Sequence, residues 1–446
     1  MGNTGDLSIN CGLGFDDILV LPGKSDINMD AIDLRTNLTK KIVLNLPLMS
    51  SPTSAELEII TESKMAIAIS RQGGIGIIHS NMPLEEQVTE VDKVKRSQHG
   101  VITDPFFLSP NNYIYEANEL MGKYKISGVP ICENGKLVGI ITNRDLKFED
   151  NYEKKIYEVM TSTNLITADE GTDLEEAKKI LAKHKIEKLP IIDKQRRLKG
   201  LITTKDIEKS IKYPNASHDT NGRLLVGASV LCDGDLFIRC EKLIEANVDV
   251  VVLDDDLRYG YNSKMINTVK ELKSKFPNLQ LIAGNVVTPK AVVELAEAGI
   301  DAIKIGFGSA NNSEINIMTG VGVPQFSAVL SCVHEARKYD IPVVSDGGIK
   351  YSGDLTKAIV AGADVCMLGN IFLNCYESAD KMKLYKKSNY VSGKKKLCPE
   401  KWYENKKLSE MVKYLSVGLR TGMYYCGVKN ISELQKCKYV KIGVGK

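Results

Sequence analysis

Eight short apolar runs recur along the chain, and most of them alternate with segments of amphipathic helical pattern. The runs cover residues 47–50, 74–78, 224–228, 248–254, 279–284, 302–306, 342–346 and 365–369. Residues 288–298 and 353–361 are two of the intervening helical segments. Apolar strands that alternate with helices are typical of a parallel sheet that is buried on both faces. Eight such strands predict an α/β protein built on a (β/α)8 TIM barrel.

An internal repeat lies between the second and third apolar runs. Residues 125–131 are echoed by residues 185–191, and residues 137–145 are echoed by residues 198–206. Each copy has the pattern of a strand, a polar turn, a second strand and a helix, and two copies suggest a pseudo-symmetric pair. We therefore expect three segments: a first barrel part at residues 1–98, an inserted domain at 99–210, and a second barrel part at 211–446.

Composition excludes several classes of protein. The 446 residues are 43% hydrophobic and 26% charged, with a net charge of +3, which is typical of a globular chain without a nucleic-acid or anionic-membrane partner. No apolar run approaches a membrane span, and the first ten residues lack a signal-peptide pattern. The ten cysteines are at least eight residues apart, so we expect reduced thiols, no metal site and a cytoplasmic location.

Glycine-rich loops follow three neighbouring strands of the predicted barrel. They are residues 306–309 after the sixth strand, 345–348 after the seventh, and 369–370 after the eighth. Glycines let backbone N–H groups approach an anion, and this end of a TIM barrel is where phosphate sites occur. The sequence therefore predicts a phosphate site, with Asp346 available to accept hydrogen bonds from a ribose diol. The alternative for Asp346 is a helix N-cap.

The acidic residues and the histidines are two further candidate catalytic features. Asp254, Asp255 and Asp256 end the fourth strand and could in principle bind a metal, but a solvated loop is the simpler interpretation. The five histidines show no pairing along the sequence, so no histidine-based catalytic triad is predicted.

Several motifs, spread over nearly the whole chain, resemble those of the IMP dehydrogenase/GMP reductase family. They are residues 14–22 (GFDDILVLP), 71–79 (RQGGIGIIH), 320–325 (GVGVPQ), 346–349 (DGGI), 367–369 (MLG) and 418–423 (GLRTGM). Together they identify the chain as similar to an IMP dehydrogenase with a tandem CBS insert. The resemblance implies a TIM barrel, a homotetramer or octamer, and CBS units that bind adenine or guanine nucleotides.

The resemblance also implies site residues and a two-step reaction. In the family, a loop cysteine attacks C2 of the purine, hydride passes to NAD, and water then hydrolyses the covalent intermediate. The implied contacts to nucleotide phosphate and ribose in the barrel are Ser50, Ser309, Asp346, Gly347, Gly348, Gly369 and Tyr385. Asp254 and Asn285 would contact the NAD cofactor. Thr142, Asp145, Thr203 and Asp206 would contact the CBS ligand, although each Thr-x-x-Asp pattern could instead cap a helix.

The sequence departs from the family pattern at the catalytic loop. The family cysteine position falls in the stretch Ala310-Asn311-Asn312, and no cysteine occurs between Cys240 and Cys332. By this resemblance the catalytic flap is also shortened, because only residues 401–403 resemble its neighbourhood. An amide without an evident base is a poor substitute for a thiolate, so no catalytic residue is assigned.

Three hypotheses follow. The first is a nucleotide-binding homologue that lacks dehydrogenase activity and regulates a partner, for example by co-assembling with an active IMP dehydrogenase. The second is an active IMP dehydrogenase, or a GMP reductase, with an unrecognised nucleophile. The third is a barrel enzyme with changed chemistry that uses Glu314 or the acids Asp254 to Asp256.

Overall fold

The computed structural model describes residues 12–53, 58–97, 105–124, 126–255, 259–307, 314–379 and 406–442. The chain divides into two compact units. The first comprises residues 1–97, 215–217 and 224–446, and the second comprises residues 98–214 and 218–223.

Seventeen strands occur within the described ranges. They are β1 (Ile18–Val20), β2 (Thr36–Asn37), β3 (Val43–Leu44), β4 (Leu48–Ser50), β5 (Ile75–Ile78), β6 (Gly128–Glu133), β7 (Lys136–Thr142), β8 (Ala168–Asp169), β9 (Lys188–Ile192), β10 (Leu198–Thr203), β11 (Val226–Leu231), β12 (Val250–Asp254), β13 (Leu281–Val286), β14 (Ala302–Ile305), β15 (Val343–Asp346), β16 (Val365–Leu368) and β17 (Tyr439–Lys441).

Fifteen α-helices occur within the same ranges. They are α1 (Ser63–Arg71), α2 (Leu84–Arg96), α3 (Ile114–Tyr124), α4 (Asn143–Leu146), α5 (Leu174–His184), α6 (Thr204–Lys212), α7 (Leu236–Glu245), α8 (Ser263–Lys275), α9 (Pro289–Ala298), α10 (Glu314–Thr319), α11 (Gln325–Lys338), α12 (Ser352–Val360), α13 (Asn370–Leu373), α14 (Leu408–Cys426) and α15 (Ile431–Leu434). Three short 3-10 turns lie at Phe15–Asp17, Met29–Ala31 and Ile156–Glu158.

The first unit is built on a closed barrel of eight parallel strands. Their order around the barrel is β11-β12-β13-β14-β15-β16-β4-β5, and every neighbouring pair is parallel. Each strand falls on one of the eight apolar runs, so the predicted (β/α)8 barrel is confirmed. Its interior contains buried side chains from several strands, including Met49, Ile77, Val252, Ile282 and Val344.

Local sequence signals explain where the barrel helices begin and end. Helix α9 begins after Thr288, whose hydroxyl accepts from the Ala291 amide, and Pro289 occupies its first turn. It ends at Gly299, which has a φ of 106° that favours glycine. The short β1 pairs antiparallel with β17, so the two ends of the described barrel chain meet.

The second unit contains the two copies of the repeat as two similar halves. In one half β6 and β7 form an antiparallel pair beside α3 and α4, and in the other β8, β9 and β10 form a sheet beside α5 and α6. Each half has its own apolar core, and a smaller cluster that includes Cys132, Leu137 and Ile192 joins them. Within the described residues, no helix is long and apolar enough to cross a membrane.

Candidate functional site

The carboxyl ends of the barrel strands bring two glycine-containing loops together. Gly306 follows β14 with a φ of 146°, and a Cβ at this position would lie 2.0 Å from the backbone oxygen of Asp346 at the end of β15. Gly347 and Gly348 also have positive φ values, of 106° and 78°. Only glycine permits this close approach of the two backbones, so the loops after β14 and β15 form one continuous edge.

Gln325 holds these two strand ends in place. Its side chain is fully buried, and its amide donates to the Ile305 carbonyl at 2.8 Å and to the Ser345 hydroxyl at 3.0 Å. In the sequence, Gln325 stands out only as the last residue of the motif at 320–325. Its place directly after Pro324, at the start of a helix, was the one feature that could have indicated its role.

A buried lysine connects two carboxylates at this edge of the barrel. The Lys304 ammonium lies 2.8 Å from Asp254 Oδ1 and 3.3 Å from Asp346 Oδ2. It also donates to Asn285 Oδ1. The Ser229 hydroxyl donates to Asp254 Oδ2 at 2.8 Å. One network therefore joins three residues that the sequence placed at the site, namely Asp254, Asn285 and Asp346. Lys304, which connects them, was not predicted from the sequence.

The charge of Lys304 is set by its surroundings. Burial opposes the charged form, but the carboxylates of Asp254 and Asp346 outweigh this effect and raise the pKa of Lys304 above its usual value. The lysine is therefore an ammonium at neutral pH, and it neutralises part of the charge of the two acids.

Asn285 is fully engaged inside the protein. Its amide nitrogen donates to the Gly306 carbonyl at 2.7 Å and to Asp346 Oδ2 at 3.0 Å, while its oxygen accepts from Lys304. An asparagine amide has two hydrogens, so both are already used. Asn285 is thus placed to orient Asp346, and its direct contact with a cofactor stays a prediction.

The remaining residues expected at the barrel site are distributed as follows. The Ser50 hydroxyl is buried at the end of β4 and shares a 2.9 Å hydrogen bond with the Thr61 hydroxyl. Gly369 immediately precedes the four-residue helix α13. Ser309, Tyr385, Asp256 and the stretch Ala310-Asn311-Asn312 lie outside the described residues.

The described thiols at or near this edge are poor nucleophiles. Cys232 directly follows β11 and is buried, and burial together with nearby acids raises its pKa to about 12. Cys375 follows α13, and burial likewise raises its pKa to about 12. Because the thiolate is the reactive form, neither sulfur is activated at neutral pH.

The two Thr-x-x-Asp patterns of the second unit both form capping boxes. Thr142 donates its backbone amide and its hydroxyl to Asp145, each at 2.7 Å, before α4. Thr203 makes the same pair of bonds to Asp206 before α6. Burial raises the pKa of Asp206. The capping role is therefore present, and it does not exclude contact with a ligand.

A buried lysine lies between the two halves of this unit. Lys188 begins β9, its side chain is 8% exposed, and it packs beside Gly128 at the start of β6. Burial lowers the pKa of Lys188, Glu187 opposes this shift, and Lys205 and Arg144 reinforce it. These three cations cluster with two acids, since the Glu187 carboxylate lies 3.6 Å from Arg144 and 3.9 Å from Lys188 and Asp145 is also near. The cluster was not indicated by the sequence.

Comparison with known proteins places the chain in a family. The model of the IMP dehydrogenase/GMP reductase domain matches residues 12–396. An inosine-5'-monophosphate dehydrogenase of Bacillus subtilis is 47% identical over 453 residues, which is 95% of this chain and 92% of the relative. The enzyme of the same name from Staphylococcus aureus is 44% identical over 462 residues, or 97% of this chain and 93% of the relative.

Solved structures of GMP reductase from Trypanosoma brucei are similar over nearly the whole chain. The complex with guanosine 5'-triphosphate has a TM-score of 0.81 at 33% identity and covers 98% of both chains. A cysteine-to-alanine variant in complex with guanosine 5'-monophosphate has a TM-score of 0.83 at 32% identity, covering 98% of this chain and 96% of that one. From its barrel, its sequence and these similarities, the chain belongs to the IMP dehydrogenase/GMP reductase family.

Proposed function

We propose that the barrel binds a purine nucleoside 5'-monophosphate of the IMP type at the carboxyl edge of its strands, and that the chain has the activity of an IMP dehydrogenase. The reaction would convert IMP, NAD and water to XMP and NADH. The observation that carries the binding proposal is the network in which Lys304 and Asn285 hold Asp346 beside the loops that begin at Gly306 and Gly347. Relatives at 44–47% identity are named inosine-5'-monophosphate dehydrogenase, and this favours the dehydrogenase reaction.

The parts of the nucleotide have separate partners in this proposal. Backbone N–H groups of Gly347 and Gly348 face the phosphate, with Ser50, Ser309, Gly369 and Tyr385 as further expected contacts. Asp346 accepts from the ribose hydroxyls, because its Oδ1 accepts no hydrogen bond from the described residues. The GMP complex of a Trypanosoma brucei variant without one cysteine supports nucleotide binding that does not depend on that thiol.

The donor set near Asp254 fits the ribose of NAD. Among the described residues, each oxygen of the Asp254 carboxylate accepts one bond, from Lys304 or from Ser229, and a carboxylate oxygen can accept a second. Gly260 packs on the backbone of Gly284. A Cβ at Gly260 would lie 2.6 Å from Gly284 backbone atoms, so no larger side chain fits at this end of the loop. Bound NAD would supply a hydride acceptor, and Asp254 would orient it.

A specific observation favours a second candidate, a nucleotide-binding homologue without turnover that regulates a partner. The loop between β14 and α11 contains no cysteine, and Cys232 is buried with a raised pKa. Dehydrogenase turnover therefore requires a nucleophile other than the thiol that the family pattern supplies. In this candidate, the chain would join a homotetramer or octamer, or a mixed assembly with an active homologue.

One paired experiment separates the two candidates. Purified protein is incubated with IMP and NAD, and NADH is followed by absorbance beside the Bacillus subtilis relative as a positive control; a second arm offers GMP and NADPH. A thermal-shift series with IMP, XMP, GMP and NAD reports binding independently of turnover. Turnover comparable to the relative supports the dehydrogenase. A shift in Tm without turnover supports the silent homologue, and no shift contradicts binding by the barrel.

We also propose that the inserted unit is a tandem CBS domain that binds an adenine or guanine nucleotide. Asp145 and Asp206, with Thr142 and Thr203, would contact ribose and phosphate, and Lys188 would face the phosphates. Titration calorimetry with ATP and GTP tests this, with Lys188→Met as the variant that should weaken binding. Equal binding by the variant would contradict the role of Lys188.

A further inference from the structure

Lys304 is the only described side chain that contacts both Asp254 and Asp346. Its side chain is 6% exposed, and it extends from β14 to reach an acid on β12 and an acid on β15. Asn285 on β13 also accepts from the same ammonium and donates to Asp346. One cation thus connects strand ends from four consecutive barrel strands.

The charges of this network do not cancel. Two carboxylates and one ammonium leave a net charge of −1, and the two acids remain partly exposed, at 19% for Asp254 and 21% for Asp346. Each carboxylate therefore has an exposed part that can accept hydrogen bonds from a ligand, while its buried part is paired with Lys304. Two outward acceptors that share one buried cation suit two hydroxyl-bearing ligands that are bound together.

We propose that Lys304 is a positioning residue that couples two ligand sites, by holding Asp346 as the acceptor for the ribose of the nucleotide and Asp254 as the acceptor for the ribose of the dinucleotide. This inference rests on the proposed function, because it uses the same two ligands. It adds a residue that neither motif nor loop pattern indicated, and it links the two affinities.

Removal of the ammonium has a definite electrostatic consequence. Without Lys304, two nearby carboxylates would repel each other, and one would take up a proton at a higher pH than an isolated carboxyl does. A protonated carboxyl is a donor as well as an acceptor, so its preference for a diol weakens. In a Lys304 variant the preference for a ribose diol should then depend on pH, whereas titration of the nucleotide phosphate, with a second pKa of about 6, affects ligands with and without the 2'-hydroxyl alike.

The test compares wild type with Lys304→Met, Lys304→Arg and Lys95→Met by titration calorimetry with IMP, 2'-deoxy-IMP and NAD at pH 6 and pH 8. Lys95 is a matched control: it is also buried and pairs with Asp249 at 2.7 Å, but at the amino end of β12. Wild type should prefer IMP to the deoxy analogue by about tenfold to a hundredfold, as expected for a hydrogen bond to a charged group.

Lys304→Met should reduce this preference to less than about threefold, weaken the binding of NAD, and make the remaining preference pH-dependent. Lys304→Arg keeps the charge and should retain most of the preference, and Lys95→Met should retain all of it despite a lower Tm. If Lys304→Met does not fold, Lys304→Gln replaces it, because glutamine removes the charge but keeps a polar side chain, and the same losses are expected.

The outcomes separate the inference from the proposed function. Wild type that binds neither IMP nor NAD contradicts both. Wild type that binds both ligands, with a Lys304→Met variant of unchanged preference, NAD affinity and pH profile, overturns the inference alone. Where Lys304→Met does not fold, a Lys304→Gln variant with these properties unchanged does the same.

Discussion

Cys232 shows how the environment of one residue decides its chemistry. It follows a barrel strand at the end where TIM-barrel chemistry occurs, so its position alone would suit a nucleophile. Burial and the neighbouring acids raise its pKa to about 12, and the thiol remains protonated at neutral pH. The position of Cys232 would suit a nucleophile, but its protonated thiol is not reactive enough to act as one.

This residue yields a prediction for chemical labelling. At pH 7.5, iodoacetamide should leave Cys232 and Cys332 unmodified, because burial raises the pKa of both thiols to about 12. Any reaction should accelerate as the pH rises, since the thiolate fraction grows about tenfold per pH unit below the pKa. Peptide mass spectrometry gives the readout, and urea-denatured protein, in which both thiols should react, is the control. Rapid labelling of Cys232 that IMP blocks would contradict this account and favour a cysteine nucleophile.

Lys95 yields a second prediction at this scale. Its ammonium is 3% exposed and bonds both oxygens of Asp249, at 2.8 and 2.7 Å. Lys95→Met should lower the free energy of unfolding by about 3–5 kcal/mol, because the buried carboxylate would lose its ion-pair partner. Urea denaturation measures the change. Lys242→Met, which removes an exposed ion pair with Glu245, is the control and should change the free energy of unfolding far less, because solvent screens this pair.

Among the elements, β5 and α1 pack unusually closely. A Cβ at Gly76 of β5 would lie 2.5 Å from Ala66 Cα and 2.7 Å from Ala66 Cβ, both in α1. The glycine is therefore required by the contact between strand and helix, not by an unusual backbone angle. The apolar pattern predicted the strand, but its distance from α1 depends on how the barrel closes.

Gly76→Ala should destabilise the barrel by about 1–3 kcal/mol, since the helix must move away from the strand. Gly122→Ala is the matched control: Gly122 lies in α3 with no atom within 4 Å of the added carbon. It should stabilise α3 by about 0.5–1 kcal/mol, because alanine loses less backbone freedom in a helix. Thermal and urea unfolding followed by circular dichroism measure both. A neutral Gly76→Ala variant would contradict the packing argument.

For the whole molecule, the division into two units predicts two separate ligand footprints. IMP should slow hydrogen exchange around Asn285 and residues 346–348 in the first unit. ATP or GTP should slow it around residues 142–145 and 203–206 in the second. Exchange mass spectrometry measures both, with Asp346→Asn as the control that should remove the first footprint and keep the second. Protection of the barrel site by ATP alone would contradict this assignment.

The eight-stranded barrel and the family could both be predicted from the sequence alone, and the bounds of the inserted domain stay a prediction. These features follow from local periodicity and from motifs whose residues are adjacent in the chain, so no knowledge of distant contacts is needed. The sequence also indicated Asp346 from its place at the end of a predicted strand, and the family resemblance implied Asp254 and Asn285. The nucleotide contacts themselves, and the CBS identity of the insert, stay predictions.

The sharing of one buried lysine by these three residues became visible only in the folded barrel. Lys304 lies within a run of apolar strand residues, and nothing in the local pattern indicates that its side chain reaches Asp254, 50 positions earlier, and Asp346, 42 positions later. Closure of the barrel brings β12, β13, β14 and β15 side by side, and the low-polarity interior makes an ion pair necessary there. The same holds for Lys188 and Gln325, whose partners are set by packing between elements and not by spacing along the chain.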